Sequence, residues 1–337
     1  MGCLIKKLLI VGFGSMGKRH TRLIREYYPH IELKVLTRTL LDKGSYEEEN
    51  LGFYTSINEA LEFKPDAAII ANPATKHLDI SKLLAEQGTH LLIEKPIATE
   101  TTGVQSLIDV CKQHSVILMT AYNFRFLPTL IEFSRLLEQE KIGKVLSVRA
   151  EVGSYLPDWR PNSDYRKNVS SQKILGGGVI LELSHEIDYL SWIFGPIKWV
   201  KAHASKQSNL EIDVEDTVQV IFGCEKLKKY ELTGSLCMDF IRRDPSRFCL
   251  AIGEKGSLLW DGISGEVKLF SDTSNEWNVI FSDKPPRDFT YAEEIKHFFS
   301  SIEHFDTPIS SGEDGLKTLF IIDAIKRSSK IDSLVYV

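Results

Sequence analysis

The run Lys7-Leu8-Leu9-Ile10-Val11 passes directly into Gly12-Phe13-Gly14-Ser15-Met16-Gly17, and then into a helix-like stretch from Lys18 to about Tyr28. No other local pattern in the chain restricts the fold as much. A short apolar run is the signature of a strand buried on both faces. In the spacing GxGxxG the first glycine permits a tight turn and the second lets backbone N–H groups approach a pyrophosphate. The third allows close packing of helix on strand. The helix N-terminus favours the negative charge. The alternative is a plain glycine-rich turn. The strand before it and the helix after it favour a nucleotide site lined by Gly12, Phe13, Gly14, Ser15, Met16 and Gly17.

The next hundred residues repeat the alternation. Ile31–Leu36, Phe53–Tyr54, Ala67–Ala71, His90–Ile93 and Val116–Thr120 read as strands. Helices are expected over Ile57–Phe63, over Lys76–Gln87 and from Thr99 or Thr101 to about His114. Ser56 followed by Glu59 is a capping-box pattern. Strands alternating with helices predict a doubly wound parallel sheet. Ligands of such sheets bind outside the carboxyl ends of the strands, where the turns at 12–17, 37–39, 72–75, 94–96 and 121–125 all fall. An NAD site normally has an acid at the end of the second strand, for the ribose 2′-hydroxyl. Here the end reads Leu36-Thr37-Arg38-Thr39. Arg38, with a hydroxyl from Thr37 or Thr39, suits a 2′-phosphate. NADP(H) is therefore favoured, and NAD(H) stays open because Arg38 can also stack on adenine.

After Ala121 the character changes. One helix runs to about Glu140, and then eight β-like runs lie between Val145 and Phe281. They predict a large, open, one-sided and mostly antiparallel sheet. The expectation is an α/β protein with a Rossmann domain over residues 1–122 and a second α/β domain over 123–337. The length of 337 residues suits two domains. The long loop from Ser154 to Lys173 carries Arg160, Tyr165 and Arg166. These are candidate substrate contacts, since arginine offers a bidentate fork to phosphate or carboxylate.

Gly176-Gly177-Gly178 open the stretch GGGVILELSHEIDYLSWIFG. Three glycines without Cβ allow a close backbone approach or positive φ. At about 100° per residue, Leu183, Ile187, Leu190 and Phe194 share one stripe facing a core. His185, Asp188 and Trp192 fall roughly opposite, where a cavity wall is expected, with Glu182 to one side. His185 lies three residues from both acids, and either can orient it as a general acid–base. Asp188 is preferred because it shares the side of Trp192. Glu182 is nearer the helix start, where the macrodipole alone accounts for an acid.

Composition narrows the partners. With 41 Lys+Arg against 46 Asp+Glu, a net charge of -5 recommends neither nucleic acid nor an anionic membrane. No run of about 18 apolar residues is present, so no membrane span is expected. The five cysteines form no CxxC pair and read as free thiols of a reducing, cytoplasmic compartment, with no metal site.

Together GFGSMG, Asn72-Pro73 with His77, Glu94-Lys95-Pro96, Asn123-x-Arg125 and GGGxxxExxHxxD resemble the glucose–fructose oxidoreductase / inositol dehydrogenase (Gfo/Idh/MocA) family over essentially the whole chain. The resemblance implies a Rossmann domain plus an α/β domain with an open sheet. It also implies a nicotinamide cofactor, and substrates that are mostly sugars, sugar derivatives or polyols. Carried over position by position, Lys95 matches the active-site lysine and Pro96 a proline often found after a cis peptide. His185 matches the catalytic histidine. The family's aspartate four residues before that histidine is replaced by Leu181, with Glu182 one residue closer. Asn72, Pro73, His77, Glu94, Lys95, Asn123 and Arg125 are expected at the cofactor; Lys95 and His185 also at the substrate. The implied reaction is hydride transfer between nicotinamide and a carbinol or carbonyl. The substrate would be a sugar, sugar acid or nucleotide sugar, with surface-polysaccharide synthesis as the expected setting. An inositol-like polyol dehydrogenase and a catalytically silent NADP-binding sensor or scaffold are the alternatives. The open sheet face needs covering, so a homodimer or homotetramer is expected.

Overall fold

The computed structural model describes residues 5–38, 51–225, 231–271, 273 and 275–337. Thr39, Cys3 and the first residues of the expected strand at 229 lie outside them. The chain forms two compact units. One takes the residues up to Asn123 together with Asp288–Lys317, the other Phe124–Arg287 together with Thr318–Val337. A single cut after residue 122 is thus not how the chain divides. It returns to the first unit at Asp288 because the returning segment completes that core. There Ile295, Phe298, Phe299 and Ile302 are buried, Phe299 meets Tyr28 at 4.7 Å between centroids, and the Thr120 amide donates to the Ser310 carbonyl.

In the first unit β1 (Lys7–Val11), α1 (Ser15–Tyr27), β2 (Glu32–Leu36), β3 (Gly52–Tyr54), α2 (Ile57–Glu62), β4 (Ala67–Ile70), α3 (His77–Ala85), β5 (His90–Glu94), α4 (Val104–Gln113) and β6 (Leu118–Ala121) follow in order. All strand pairs are parallel in the order β3-β2-β1-β4-β5-β6. The order reverses between β1 and β4, the switch point where such sheets take their ligands. Leu8, Leu9 and Ile10 are wholly buried, each contributing about 1.5–3 kcal/mol. The Ser56–Glu59 capping box forms as its spacing predicts. Helix α4 starts later than expected, at Val104, because Gly103 takes a positive φ of 84° just before it.

The second unit begins with α5 (Pro128–Glu138) and β7 (Val145–Gly153). After the loop come α6 (Val179–Glu182), α7 (Ser184–Phe194), β8 (Ile197–Ser205), β9 (Thr217–Glu225), β10 (Glu231–Asp239), β11 (Ser246–Gly253), β12 (Gly256–Asp261), β13 (Glu266–Ser271) and β14 (Trp277–Ser282). Helix α8 (Phe289–His304) belongs to the first unit; α9 (Gly312–Ile331) and β15 (Val335–Tyr336) close the chain. The sheet runs β14-β13-β12-β11-β7-β10-β9-β8-β15, antiparallel except between β7 and β10. Burial alternates along β9 and β10, so one face is covered. Trp260 lies in that core, hydrogen-bonded to Thr129 of α5 and edge-on to Tyr189 of α7. The loop expected to lack structure is built from four 3-10 turns between Leu156 and Leu175. The helix expected through residue 183 is broken there, at Leu183, with φ -99° and ψ 24°.

Among the described residues no helix is long and apolar enough to cross a membrane. Burial pushes the thiols of Cys111 and Cys224 up to about 12, which makes them inert packing groups.

Candidate active site

Two of the three motif glycines in the turn of the first unit abut backbone. Gly12 has φ 94°, and a Cβ there would lie 2.7 Å from the Asn72 amide nitrogen. A Cβ on Gly17 would strike the Gly12 carbonyl oxygen. Gly14 is different: a Cβ on it would meet nothing within 4 Å. Gly14 is also the N-cap of α1, which has no side-chain cap and no acid in its first turn. The first amides of a helix need partners; no side chain caps them here and the space beside Gly14 is open, which fits a pyrophosphate. Phe13 packs edge-on against Phe53, Met16 accepts from Arg19, and Ser15 is exposed. At the end of β2, the Thr37 amide donates to Tyr54 and Arg38 is exposed.

The turns after β4 and β5 are stapled by His77. Its Nδ1 lies 3.1 Å from the Pro96 carbonyl and 3.3 Å from that of Ile97, and its Nε2 lies 2.8 Å from the Asn72 carbonyl. Burial pulls its basicity down, opposed by these carbonyls. A ring 1% exposed and engaged on both nitrogens does not line a ligand surface. His77, expected at the cofactor, instead fixes the Asn72-Pro73 turn against the Lys95-Pro96 turn, whose peptide is cis. Glu94 is likewise turned inward, its Oε1 2.8 Å from Nε2 of His20. Burial pushes its carboxyl up, but the His20 bond and the charges of His20, Lys95 and His77 together outweigh this and hold it below the ordinary range. Glu294 of α8 is buried nearby, and burial together with the Glu94 charge drives its carboxyl well up. Lys95 stays half-buried.

In the second unit α7 and the turn Phe124-Arg125-Phe126 share the residues of interest. The His185 ring stacks on Phe124, 4.5 Å between centroids and 15° between planes. Arg125 grips Asp188 with Nε at 3.0 Å and Nη2 at 2.7 Å, and its guanidinium lies over Trp192. The face expected to be an open cavity wall is therefore covered at Asp188 and Trp192. Asp188 is 1% exposed and Arg125 6%; Asn123, 4% exposed, donates to Thr290. Asn123 and Arg125, expected at the cofactor, are engaged by protein: Asn123 by Thr290, and Arg125 by Asp188, since a buried guanidinium requires a buried counter-charge.

Glu182 ends the four-residue α6 rather than starting a long helix, so the macrodipole argument for it does not hold. It accepts from Ser170 Oγ at 2.9 Å. Arg166, expected to fork a substrate, forks Asp164 with Nε and Nη2 and reaches Glu211 with Nη1. The Tyr165 hydroxyl accepts from the Glu211 amide. Arg160 is exposed.

Two family models match the chain. One, described as an oxidoreductase family with an NAD-binding Rossmann fold, covers residues 6–122. The other, described as the GFO/IDH/MocA C-terminal domain, covers 131–259. The scyllo-inositol 2-dehydrogenase (NADP(+)) IolU of Bacillus subtilis is 30% identical over 234 residues, 68% of each chain. The chain belongs to the Gfo/Idh/MocA family of NAD-binding oxidoreductases. Myo-inositol 2-dehydrogenase of Thermotoga maritima is 25% identical over 95% of both chains. Levoglucosan dehydrogenase of Pseudarthrobacter phenanthrenivorans is 28% identical over 206 residues, 57% of this chain and 52% of that one, so the match spans about half of that relative's length. Among solved structures, levoglucosan dehydrogenase in complex with NADH and L-sorbose superposes with TM-score 0.85 at 19% identity, over 98% of each chain. The WlbA dehydrogenase of Bordetella pertussis in complex with NADH and UDP-GlcNAcA gives 0.83 at 20%, over 98% of this chain and 97% of that one.

Within this Gfo/Idh/MocA chain, sequence reasoning misses His20, Phe124, Glu186, Arg247 and Glu294. Glu186 carries a signal. It sits about 40° from Leu190 on the helical wheel, at the edge of the aliphatic stripe, where an acid is out of place. It is wholly buried, with Arg247 Nε 3.0 Å from its Oε1. Burial pushes its carboxyl up, opposed by Arg247. His20, Arg247 and Glu294 join their partners only across the fold and leave no local pattern.

Proposed function

We propose that this oxidoreductase interconverts a ring carbinol and carbonyl of a sugar, sugar acid or nucleotide sugar. The observation that carries the reading is a contrast in burial. Glu94, Asp188 and Glu186 are 7%, 1% and 0% exposed and engaged by protein nitrogens of His20, Arg125 and Arg247. Lys95 and His185, one in each unit, keep part of their surface open to a ligand. The glycine turn Gly12–Gly17 would hold the pyrophosphate, with Thr37 and Arg38 at the ribose and the turns at Asn72-Pro73 and Glu94-Lys95 completing the cofactor site. Bound there, the nicotinamide supplies the hydride acceptor or donor.

In oxidation His185 takes the hydroxyl proton. Lys95 donates a hydrogen bond to a substrate oxygen and holds developing negative charge. In reduction the proton moves back from His185 to the carbonyl oxygen. Asp188 serves by fixing Arg125, and Glu182 by anchoring the loop through Ser170.

Arg38, exposed and without an acid beside it in Leu36-Thr37-Arg38, supports NADP(H) over NAD(H), as does the NADP(+) in the name of the 30% identical relative. A second reading, an inositol-like polyol as substrate, is favoured by the relative that matches over 95% of both chains. The exposed Leu146, Ile221, Trp277, Val279 and Ile280 on the large sheet support a second copy covering that face, and the buried thiols fit a cytoplasmic protein.

Turnover of nucleotide sugars, free sugars and polyols with both cofactors tests the substrate class. Lys95→Ala should leave cofactor affinity nearly intact and slow the chemical step roughly 10²–10⁴-fold. Turnover within a few-fold of wild type would make Lys95 structural and sink the mechanism. Equal affinity for both cofactors, unchanged in Arg38→Ala, would remove the preference for NADP(H).

A further inference from the structure

His185 is the end of a file of side chains drawn from three elements of the second unit. Its ring lies on Phe124. The guanidinium of Arg247, on β11, lies over the same phenyl ring with Cζ 4.7 Å from the centroid. Phe124 thus has both the imidazole and the guanidinium against its ring. Arg247 is in turn held by Glu186, the residue after His185, at 3.0 Å. Phe124 also meets Trp260 edge-on at 6.4 Å, and Trp260 is anchored through Nε1 to Thr129.

We propose that Phe124, Arg247 and Glu186 are positioning residues for His185. The inference rests on the acid–base role given to His185 above. The torsion that turns an imidazole about its Cβ–Cγ bond is broad and roughly two-fold, so a histidine on a surface helix presents either ring nitrogen. A parallel neighbour on its face selects one plane. A cation against that neighbour's ring, drawn to its quadrupole, keeps the neighbour from sliding. Glu186 is the counter-charge that lets Arg247 stay there, and its place beside His185 in α7 closes the loop: the same helix turn supplies the base and the anchor. None of the three touches the substrate oxygen in this scheme. They hold the ring in one plane; a half-turn within that plane, which exchanges the two nitrogens, is decided by the hydrogen-bond partners that a fixed plane keeps within reach.

The test uses the full chain with ring-15N-labelled histidine, the His185 signals being assigned by their loss in His185→Gln. In wild type the His185 ring should show one dominant tautomer. In Phe124→Leu the two tautomers should mix. Turnover of levoglucosan and of myo-inositol, as probe substrates, should fall roughly 10–100-fold in kcat, the scale for a misplaced reacting group, with KM and NADH affinity within about threefold. Phe124→Tyr, which keeps the stacked ring, should restore both readouts. The double variant Arg247→Met/Glu186→Gln, which leaves no unpaired buried charge, should mix the tautomers in the same sense. It carries the test alone if Phe124→Leu does not fold by circular dichroism. A wild-type tautomer signature in a folded Phe124→Leu or in the double variant overturns the proposal. Retained turnover in His185→Gln would instead sink the acid–base reading, an outcome separable from the tautomer result.

Discussion

Two glycine runs, Gly12–Gly17 and Gly176–Gly178, each precede a helix, and they do opposite things. In the first, the glycine that leads into α1 faces open space, and α1 runs for 13 residues with its first amides uncapped by side chains. In the second, the approaches to Gly177 and Gly178 are filled. A Cβ on Gly177 would strike the carbonyl of Val169 and the backbone of Ser170, and one on Gly178 would strike the carboxylate of Glu215. Oε1 of Glu215 also accepts from the Ile180 amide of α6, so a carboxylate of the protein stands where a ligand anion would. Helix α6 ends after four residues. A glycine-rich turn before a helix is thus an anion cradle only where the protein leaves the space empty. The second run is a packing joint that brings Glu182 and His185 into place.

The comparison can be broken in four ways. The largest effect should come from Gly17→Ala, whose Cβ collides with backbone rather than with a flexible side chain. We expect a loss of about 2–4 kcal/mol in stability by chemical denaturation; a loss below about 0.5 kcal/mol would mean the strand–helix contact is not tight. Gly178→Ala, at φ 112° and ψ 150°, should cost about 1–3 kcal/mol and leave NADH affinity unchanged once the folded fraction is allowed for. Weakened NADH binding there would make the second run part of the cofactor site.

Gly14→Ala should reverse that pattern, with stability within about 0.5 kcal/mol of wild type and NADH affinity lowered about tenfold, or 1.4 kcal/mol. Wild-type affinity would show that the open space is not the cradle. The smallest effect concerns Glu215. Burial, its leading cause, raises the carboxyl above its ordinary 4.5, so the folded chain binds a proton more tightly than the unfolded one. Its contribution is therefore fully present below about pH 4.5 and is lost as pH rises through the folded value. Glu215→Gln keeps an acceptor for the Ile180 amide and should flatten the fall of stability with pH above 4.5. An unchanged slope would mean Glu215 is not titrating in that window.

Much of the fold is legible in the sequence. Strand periodicity and the capping box depend on neighbours a few residues apart, and so does the first glycine turn. Alternation gives the doubly wound parallel sheet, while its order β3-β2-β1-β4-β5-β6 is seen only in the structure. The eight runs of the second sheet are readable because one covered face imposes a period of two. What stays hidden has one physical cause: partnership across the fold. His77 reads as a ligand residue because its place in the motif says nothing of the carbonyls on either side of it. Arg166 and Arg125 read as available because a charge in a sequence carries no sign of its counter-charge. The helix through Leu183 reads as continuous because the apolar stripe carries no sign of the break at Leu183. The chemistry-bearing types, lysine after β5 and histidine on α7, are determined by sequence alone. Which acids are engaged, which rings stack and which glycine leaves room are decided only when distant side chains meet, since burial and pairing depend on distances that sequence separation does not encode.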